Sequence, residues 1–215
     1  MRRLPAKTPH RTITVATLAI VIALSPMLQR ALVFDRNAVV RGQLWRVATA
    51  NLVHFSPSHL LYDLIVVTIA GVLLERRGWP VAAIVAGSGI AVGIAVLSLE
   101  PTLATYGGLS GIACTLAVIA ALDSARSSGL TRATGIAFLL LVAVKLWWEW
   151  RSGSFVFVSA ATANIRPVPL AHVIGSGVGV GSWLARRFVH RPGASLRQSA
   201  MALSPVPARG PGSRS

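Results

Sequence analysis

Long apolar runs separated by short polar segments occupy most of the chain from residue 12 onward. A bilayer core requires about 20 consecutive apolar residues for each spanning helix. Six such runs can be placed, at 12–28, 55–74, 80–99, 108–122, 133–150 and 168–185. The pattern predicts an all-α membrane protein with six transmembrane helices and no folded soluble domain.

The two ends of the chain differ from this apolar region. Residues 1–11 are polar and basic, and no small-residue cleavage site follows the first apolar run, so we expect an uncleaved first span. Residues 189–215 are rich in Pro, Gly, Ser and Arg without apolar periodicity, which predicts a disordered basic tail. The expected organisation is a cytoplasmic segment over 1–11, a membrane domain over 12–188 and a cytoplasmic tail over 189–215.

The distribution of charge sets the expected orientation. The chain has 21 Lys and Arg against 6 Asp and Glu. With the N-terminus inside, 14 basic residues fall in cytoplasmic segments and six outside. This positive-inside bias accounts for the charge without nucleic acid and puts both termini in the cytoplasm. We expect the basic tail to lie against anionic lipid.

Ionisable or nucleophilic side chains occur near the outer start of three predicted helices. Counted back from the first charge at the cytoplasmic end of each helix, Asp63, Ser110 and His172 lie 12, 13 and 14 residues away. His59 lies one turn further out. At about 1.5 Å per residue, these side chains share a level roughly 18–24 Å above the inner boundary. Polar groups at that depth are costly in lipid, which makes them functional candidates.

The fourth apolar run is too short to cross the membrane alone. The 16 residues from Gly108 to Asp123 make about 24 Å of helix. The preceding "PTLATYGG" must then dip below the outer surface, which requires that it be buried in protein or line a water-filled cavity. We expect Ser110 on the floor of a cavity open to the outer side. At a helix N-terminus, free N–H groups could stabilise an anion there.

Glycines favour close contact between the fourth and sixth spans. Gly107, Gly108 and Gly111 remove side chains around Ser110, and span six reads "HVIGSGVGVG", with glycines four residues apart on two faces. If one of these faces packs on span four, His172 comes within hydrogen-bond reach of Ser110. A neutral imidazole is the commonest base for activating a serine.

Each candidate also has a purely structural interpretation. Ser110 is explained as a packing serine, His172 as an interhelical hydrogen-bonding residue, and His59 with Asp63 as a satisfied polar pair at i and i+4.

The remaining polar residues have simpler interpretations. Lys145 and Glu149 are most simply a same-helix or interhelical ion pair, whereas His54 and His190 are interpreted as loop residues. A zinc site built from two histidines and Asp63 has no supporting spacing. We expect neither a metal nor a cofactor.

Four strings of the sequence together indicate a protein family. They are "HFSPSHLLYDLIVVTIAGVLLERRGW", "GLSG" at 108–111, "AHVIGSGVG" at 171–179 and "LWR" at 44–46. The first three resemble the second, fourth and sixth helices of rhomboid intramembrane serine proteases, and the last resembles the Trp-Arg motif of that family's first outer loop. The similarity runs over residues 41–187. The string "KLWWEW" at 145–150 looks most like the rhombosortase branch, whose members are thought to process proteins with a C-terminal Gly-Gly sorting tail.

The resemblance implies roles for the candidate residues. Ser110 would be the nucleophile and His172 the base of a catalytic dyad. His59 and the backbone N–H of Ser110 would stabilise the oxyanion, with Gly108 and Gly111 in supporting positions. The substrates would be membrane-anchored proteins, and the enzyme would lie in a bacterial inner membrane with its active site opening to the outer side.

Two positions depart from the family pattern. Most rhomboids have Asn where this chain has Asp63. Asp63 either donates to the oxyanion as the neutral acid, or orients His59 and lies outside the oxyanion hole. A tyrosine of span five often stacks on the catalytic histidine, and we expect Trp147 or Trp148 to position His172 instead.

Two other classes of protein are considered. A catalytically inactive rhomboid-like protein that binds membrane clients would be signalled by loss of the Ser or the His, and both are present. A small transporter would require broken helices in symmetric halves, and no such symmetry is visible.

Overall fold

The computed structural model describes residues 8–152 and 168–189. Residues 1–7 lie outside the described residues, as do His190 and the rest of the predicted tail; Val189, its predicted first residue, is the last residue of the last helix. Residues up to Trp183 form one compact unit, and those from Leu184 onward form a second, of which the structure describes the end of the last helix.

The described chain is mainly helical. The helices are α1 (His10–Leu24), α2 (Pro26–Leu32), α3 (Arg36–Val40), α4 (Trp45–Thr49), α5 (Pro57–Arg76), α6 (Val81–Leu99), α7 (Ser110–Ala125), α8 (Gly129–Ser152) and α9 (Pro169–Val189). A 3₁₀ turn, Ala50–Leu52, follows α4. Two short strands, β1 (Phe34–Asp35) and β2 (Thr105–Tyr106), pair antiparallel.

The fold is an all-α membrane bundle, as the apolar runs predict, although fewer than six spans among the described residues are long and apolar enough to cross a membrane. By length and composition, α5, α6 and α8 are each sufficient to cross a membrane, and α1 with α2 would make a fourth span if counted as one bent helix. Helix α7 is apolar but shorter, at 16 residues. In α8 only Gly135 and Glu149 are buried, so its exposed apolar side chains are suited to contact lipid.

The first apolar run is not one straight helix, contrary to the predicted span over 12–28. It breaks at Ser25, and α1 and α2 meet at 109°. Pro26 explains the break, because a proline disfavours helical backbone at the residue before it. The Ser25 hydroxyl then caps α2 by accepting from the backbone N–H of Leu28.

The start of α1 is fixed to the end of α5. The Glu75 carboxylate accepts hydrogen bonds from the backbone N–H groups of Arg11, at 3.1 Å, and Thr12, at 3.0 Å. It also accepts from the Thr12 hydroxyl, at 2.9 Å. A carboxylate at this position satisfies free N–H groups and complements the helix dipole.

The long connection between α2 and α5 is folded rather than an open loop. Phe34 of β1 is fully buried and pairs with Tyr106 of β2, which ties this connection to the segment before α7. The Arg36 guanidinium donates to carbonyl oxygens at and beyond the end of α6, those of Val96, Leu97, Glu100 and Leu103. The connection is therefore held to α6 as well as to β2.

The Trp-Arg pair of this connection makes contacts within the protein. The Arg46 guanidinium donates to the carbonyl oxygens of Val33, at 2.7 Å, and Arg30, at 2.9 Å. The indole N–H of Trp45 donates to the carbonyl oxygen of Ala31, at 3.3 Å, although Trp45 is half exposed. Arg46 therefore satisfies carbonyl oxygens at and just after the end of α2.

Helix α7 is the centre of the bundle. Ten of its 16 residues are buried, including Ile112, Leu116 and Ile119. Its neighbours include α5, α6 and α8, so a helix too short to span the membrane alone lies inside a ring of longer ones. Ser110 stands at the N-terminal end of this central helix.

Candidate active site

Ser110 is the first residue of α7, as predicted, although the helix starts two residues later than the apolar run at 108–122. Gly108 has φ +143°, a backbone conformation that L side chains rarely adopt, so the helix cannot extend back through it. The Ser110 side chain is half-buried. The first N–H groups of a helix have no intrahelical partner, so donors lie beside the hydroxyl.

The segment before Ser110 is buried only at its end: Tyr106, Gly108 and Leu109 are buried, whereas most of residues 101–105 are exposed. Tyr106 is buried and its hydroxyl donates to the Gly108 carbonyl oxygen, at 3.4 Å. The backbone N–H of Gly108 donates to the carbonyl oxygen of Ala50, at 3.2 Å. These partners satisfy polar backbone groups that lipid could not.

Helix α9 packs on α7 through glycines, as predicted. A Cβ added at Gly111 would lie 3.0 Å from the Ala171 carbonyl oxygen, and one added at Gly175 would overlap the Gly111 carbonyl oxygen. The Thr115 hydroxyl donates to the Gly175 carbonyl oxygen, at 2.8 Å. Gly179 continues this face along α7.

Only one of the two glycine faces of α9 is used in this way. A Cβ at Gly177 or Gly181 would meet nothing within 4 Å, whereas Gly175 and Gly179 both approach α7 closely. His172 lies one turn before Gly175 and therefore shares the face that contacts α7.

The contact between α7 and α9 brings the two proposed dyad residues to neighbouring positions. Gly111 and Ala171, which touch, are the sequence neighbours of Ser110 and His172. His172 is 5% exposed. Within the described residues, no hydrogen bond joins Ser110 to His172, so proximity here rests on helix packing.

A second group of side chains surrounds the His172 ring, and we call Lys145, Glu149 and His172 the His172 cluster. Glu149 Oε2 lies 2.6 Å from His172 Nδ1. Lys145 Nζ donates to both oxygens of Glu149, at 2.7 and 2.8 Å, and lies 3.1 Å from His172 Nδ1.

The predicted ion pair between Lys145 and Glu149 is present within α8, and it extends to α9. Trp147 and Trp148, expected to position His172, are 62% and 51% exposed. Glu149, which is buried one turn after Lys145, contacts the ring instead.

Next to Gly108 and Leu109, just before Ser110, lies the histidine–aspartate cluster, His54, His59 and Asp63. Asp63 Oδ2 lies 3.1 Å from His54 Nε2 and 3.3 Å from His59 Nε2. The backbone N–H of Leu109 also donates to His54 Nε2, at 3.2 Å. One ring nitrogen holds either a proton or a lone pair, so it either donates to Asp63 or accepts from Leu109.

His54 lies in the loop before α5, as predicted, but it is buried and belongs to the site, which its sequence position did not indicate. It is 4% exposed and reaches the residue before Ser110. A single histidine outside the helical runs gave no periodicity by which to assign it. Among the described residues, no group of three or more His, Cys, Asp or Glu side chains is arranged to hold a metal ion.

His59 faces the start of α7. A Cβ added at Gly108 would lie 2.8 Å from His59 Cε1, so the ring occupies the space that this glycine leaves. Asp63 contacts the Nε2 atom of the same ring. Asp63 therefore lies between two histidine rings, and its hydrogen bond is to His54.

An apolar cavity of about 320 Å³ lies between α5, α7 and α8. Its lining includes Ile65, Leu73, Ala117 and Phe138 and extends to Ser124, near the end of α7 opposite Ser110. No residue of either polar cluster lines it. The cavity is therefore separate from the polar site.

Sequence comparison associates the polar site with one family. A family model described as Rhomboid domain matches residues 41–187. The match runs from α4 to α9 and includes every residue of both clusters and Ser110. No curated protein matches the chain.

Proposed function

Because the chain belongs to the rhomboid family of intramembrane proteases, we propose that it is a serine endopeptidase that cleaves membrane-anchored proteins in or next to a transmembrane segment. The observation that carries this proposal is the backbone contact between α7 and α9. It joins Gly111 to Ala171, the neighbours of Ser110 and His172.

The proposed chemistry is acyl transfer. His172 Nε2 takes the hydroxyl proton as Ser110 Oγ bonds to the substrate carbonyl carbon, which gives a tetrahedral oxyanion. The backbone N–H of Ser110 donates to that oxyanion, and the His59 ring does so in its doubly protonated form, because Asp63 accepts from its other N–H. The carbon–nitrogen bond then breaks and the His172 imidazolium protonates the leaving amine. Water hydrolyses the acyl ester by the reverse proton route and regenerates Ser110.

The substrates we propose are proteins with a C-terminal Gly-Gly sorting tail. This assignment rests on the resemblance of residues 145–150 to the rhombosortase branch. We place the enzyme in a bacterial inner membrane with both termini in the cytoplasm and the site open to the outer side. The charge bias supports this orientation. Green fluorescent protein fused after Ser215 should fluoresce, and alkaline phosphatase fused there should be inactive; the opposite result would reverse the orientation.

The nucleophile is tested with a fluorophosphonate probe on detergent-solubilised protein. We expect labelling of the wild type and none of Ser110→Ala or His172→Ala. Ser127→Ala, in the turn between α7 and α8, is the matched control and should label like the wild type. Labelling that survives Ser110→Ala would contradict the assignment, and an unlabelled but folded wild type would favour a non-catalytic client-binding protein.

A further inference from the structure

Glu149 is a buried carboxylate of α8 that contacts His172, the proposed base. It is 2% exposed, and it projects from α8 toward α9. Burying a carboxylate is costly unless its oxygens are paired and hydrogen-bonded. Both Glu149 oxygens have such partners, in Lys145 and His172.

The contact with His172 involves one particular ring nitrogen. Glu149 Oε2 is 2.6 Å from Nδ1, a distance suited to a charge-assisted hydrogen bond. An ionised carboxylate only accepts hydrogen bonds, so the proton lies on Nδ1. A neutral imidazole with its proton on Nδ1 has its lone pair on Nε2.

Lys145 donates to the Glu149 carboxylate and, with Nδ1 protonated, does not form a hydrogen bond with the His172 ring. A protonated Nδ1 cannot accept from Nζ, so their 3.1 Å separation follows from both groups donating to the same carboxylate. The ammonium group balances the charge of Glu149 and fixes both carboxylate oxygens. Within the His172 cluster, Glu149 is thereby held in a single orientation.

We propose that Glu149 is a positioning residue that makes Ser110 and His172 part of a Ser–His–Glu triad. This inference rests on the proposed function and extends it beyond a dyad. Glu149 holds the Nδ1–H tautomer, which leaves Nε2 free to take the Ser110 proton. When that proton moves, the new imidazolium lies against a carboxylate, while no proton needs to pass to Glu149.

The principal test is the rate of fluorophosphonate labelling as a function of probe concentration. We expect Glu149→Gln to lower the limiting labelling rate about 100-fold or more, because an amide removes the charge and no longer enforces the tautomer. The probe concentration at half-maximal rate and the Tm should change little. Glu100→Gln removes a carboxylate at the end of α6 and should label at the wild-type rate.

The failures of the two proposals are distinguishable. If the wild type labels at Ser110 and folded Glu149→Gln labels equally fast, the triad is wrong and the serine protease proposal stands. If the folded wild type does not label at all, the proposed function itself fails.

A second measurement covers the case in which Glu149→Gln does not fold. Wild-type protein carrying ¹⁵N-labelled histidine would be examined by NMR, with the His172 signals assigned by their loss in His172→Gln. We expect a protonated Nδ1 and an unprotonated Nε2 near neutral pH. A proton on Nε2 alone would overturn the triad. If His172→Gln does not fold, correlations between bonded ¹⁵N and ¹³C nuclei in a doubly labelled wild type would assign the signals.

Discussion

The carbonyl oxygen of Gly111 occupies the place where a Cβ of Gly175 would stand, so α7 and α9 touch backbone to backbone. This contact lies one residue from Ser110 and one helical turn from His172. The close approach of α7 and α9 at this point therefore depends on the absence of a single methyl group.

Gly175→Ala should separate α7 from α9 and abolish probe labelling. Overpacking costs typically about 1–3 kcal/mol, and here the obstacle is backbone that cannot rotate away, so we expect a loss of about 3 kcal/mol. Gly177→Ala is the matched control, because a Cβ there meets nothing within 4 Å. Tm and labelling should be near wild type for Gly177→Ala and sharply reduced for Gly175→Ala; equal behaviour would refute the proposed packing role.

Gly108→Ala should displace His59 and lower labelling at least tenfold, because the new Cβ would lie 2.8 Å from the ring. Gly78→Ala separates this effect from backbone strain, because Gly78 also has a positive φ, +73°, but nothing lies within 4 Å. We expect Gly78→Ala to cost about 1–2 kcal/mol of stability while preserving the labelling rate. A similar loss of labelling in both variants would mean that strain alone is responsible.

Asp63→Asn should retain labelling at neutral pH and equal or exceed the wild type at high pH. An amide keeps an oxygen that can accept from His59 and adds an N–H that can donate to His54, without a negative charge near the oxyanion. Asp63→Leu has a similar size but no polar atoms and should lose most labelling. Rates from pH 6 to 9 would decide; a full loss in Asp63→Asn at every pH would show that the carboxylate itself is required.

Arg36→Ala should destabilise the protein by about 3 kcal/mol, since it leaves carbonyl oxygens at the end of α6 without their donor. Arg41 carries the same charge a few residues along and is exposed. Arg41→Ala should change stability by less than about 0.5 kcal/mol. Thermal unfolding in one detergent would compare the two, and an equal shift in Tm would indicate a general charge effect.

Glu75→Gln should lower stability by about 1–2 kcal/mol, because the carboxylate at the start of α1 loses its charge and one of its two acceptor oxygens. Glu100→Gln is the control, since within the described residues the Glu100 carboxylate makes no hydrogen bond or ion pair. Chemical unfolding of both variants would measure the difference. No loss in Glu75→Gln would mean that the carboxylate contributes little to holding α1.

The central features of the site could be predicted from local sequence. The length of the fourth run, the glycines around Ser110 and the small-residue faces of span six each depend on spacing within one helix. They correctly indicated a short helix with Ser110 at its start and close packing against α9, but not the central position of that helix in the bundle. Glycine spacing alone did not predict which face of α9 would pack on α7, because both faces carry two glycines four residues apart.

The missed features are contacts between distant parts of the chain. His54 lies outside the helices, and its role depends on reaching Leu109 across 55 residues. Glu149 was correctly paired with Lys145, which is local, but its bond to His172 depends on how α8 lies against α9. One missed feature is local: Pro26 indicates a helix break at Ser25, but the apolar residues on both sides favoured one continuous helix.

The pairing of Phe34 with Tyr106 also constrains the order in which the protein can be completed. The two strands are 72 residues apart, and α5 and α6 lie between them in the chain. During synthesis, β1 emerges long before its partner and cannot close until both of these helices have been inserted. The β1–β2 pair therefore forms only after α6 has been made, and a chain stopped within α6 would lack it.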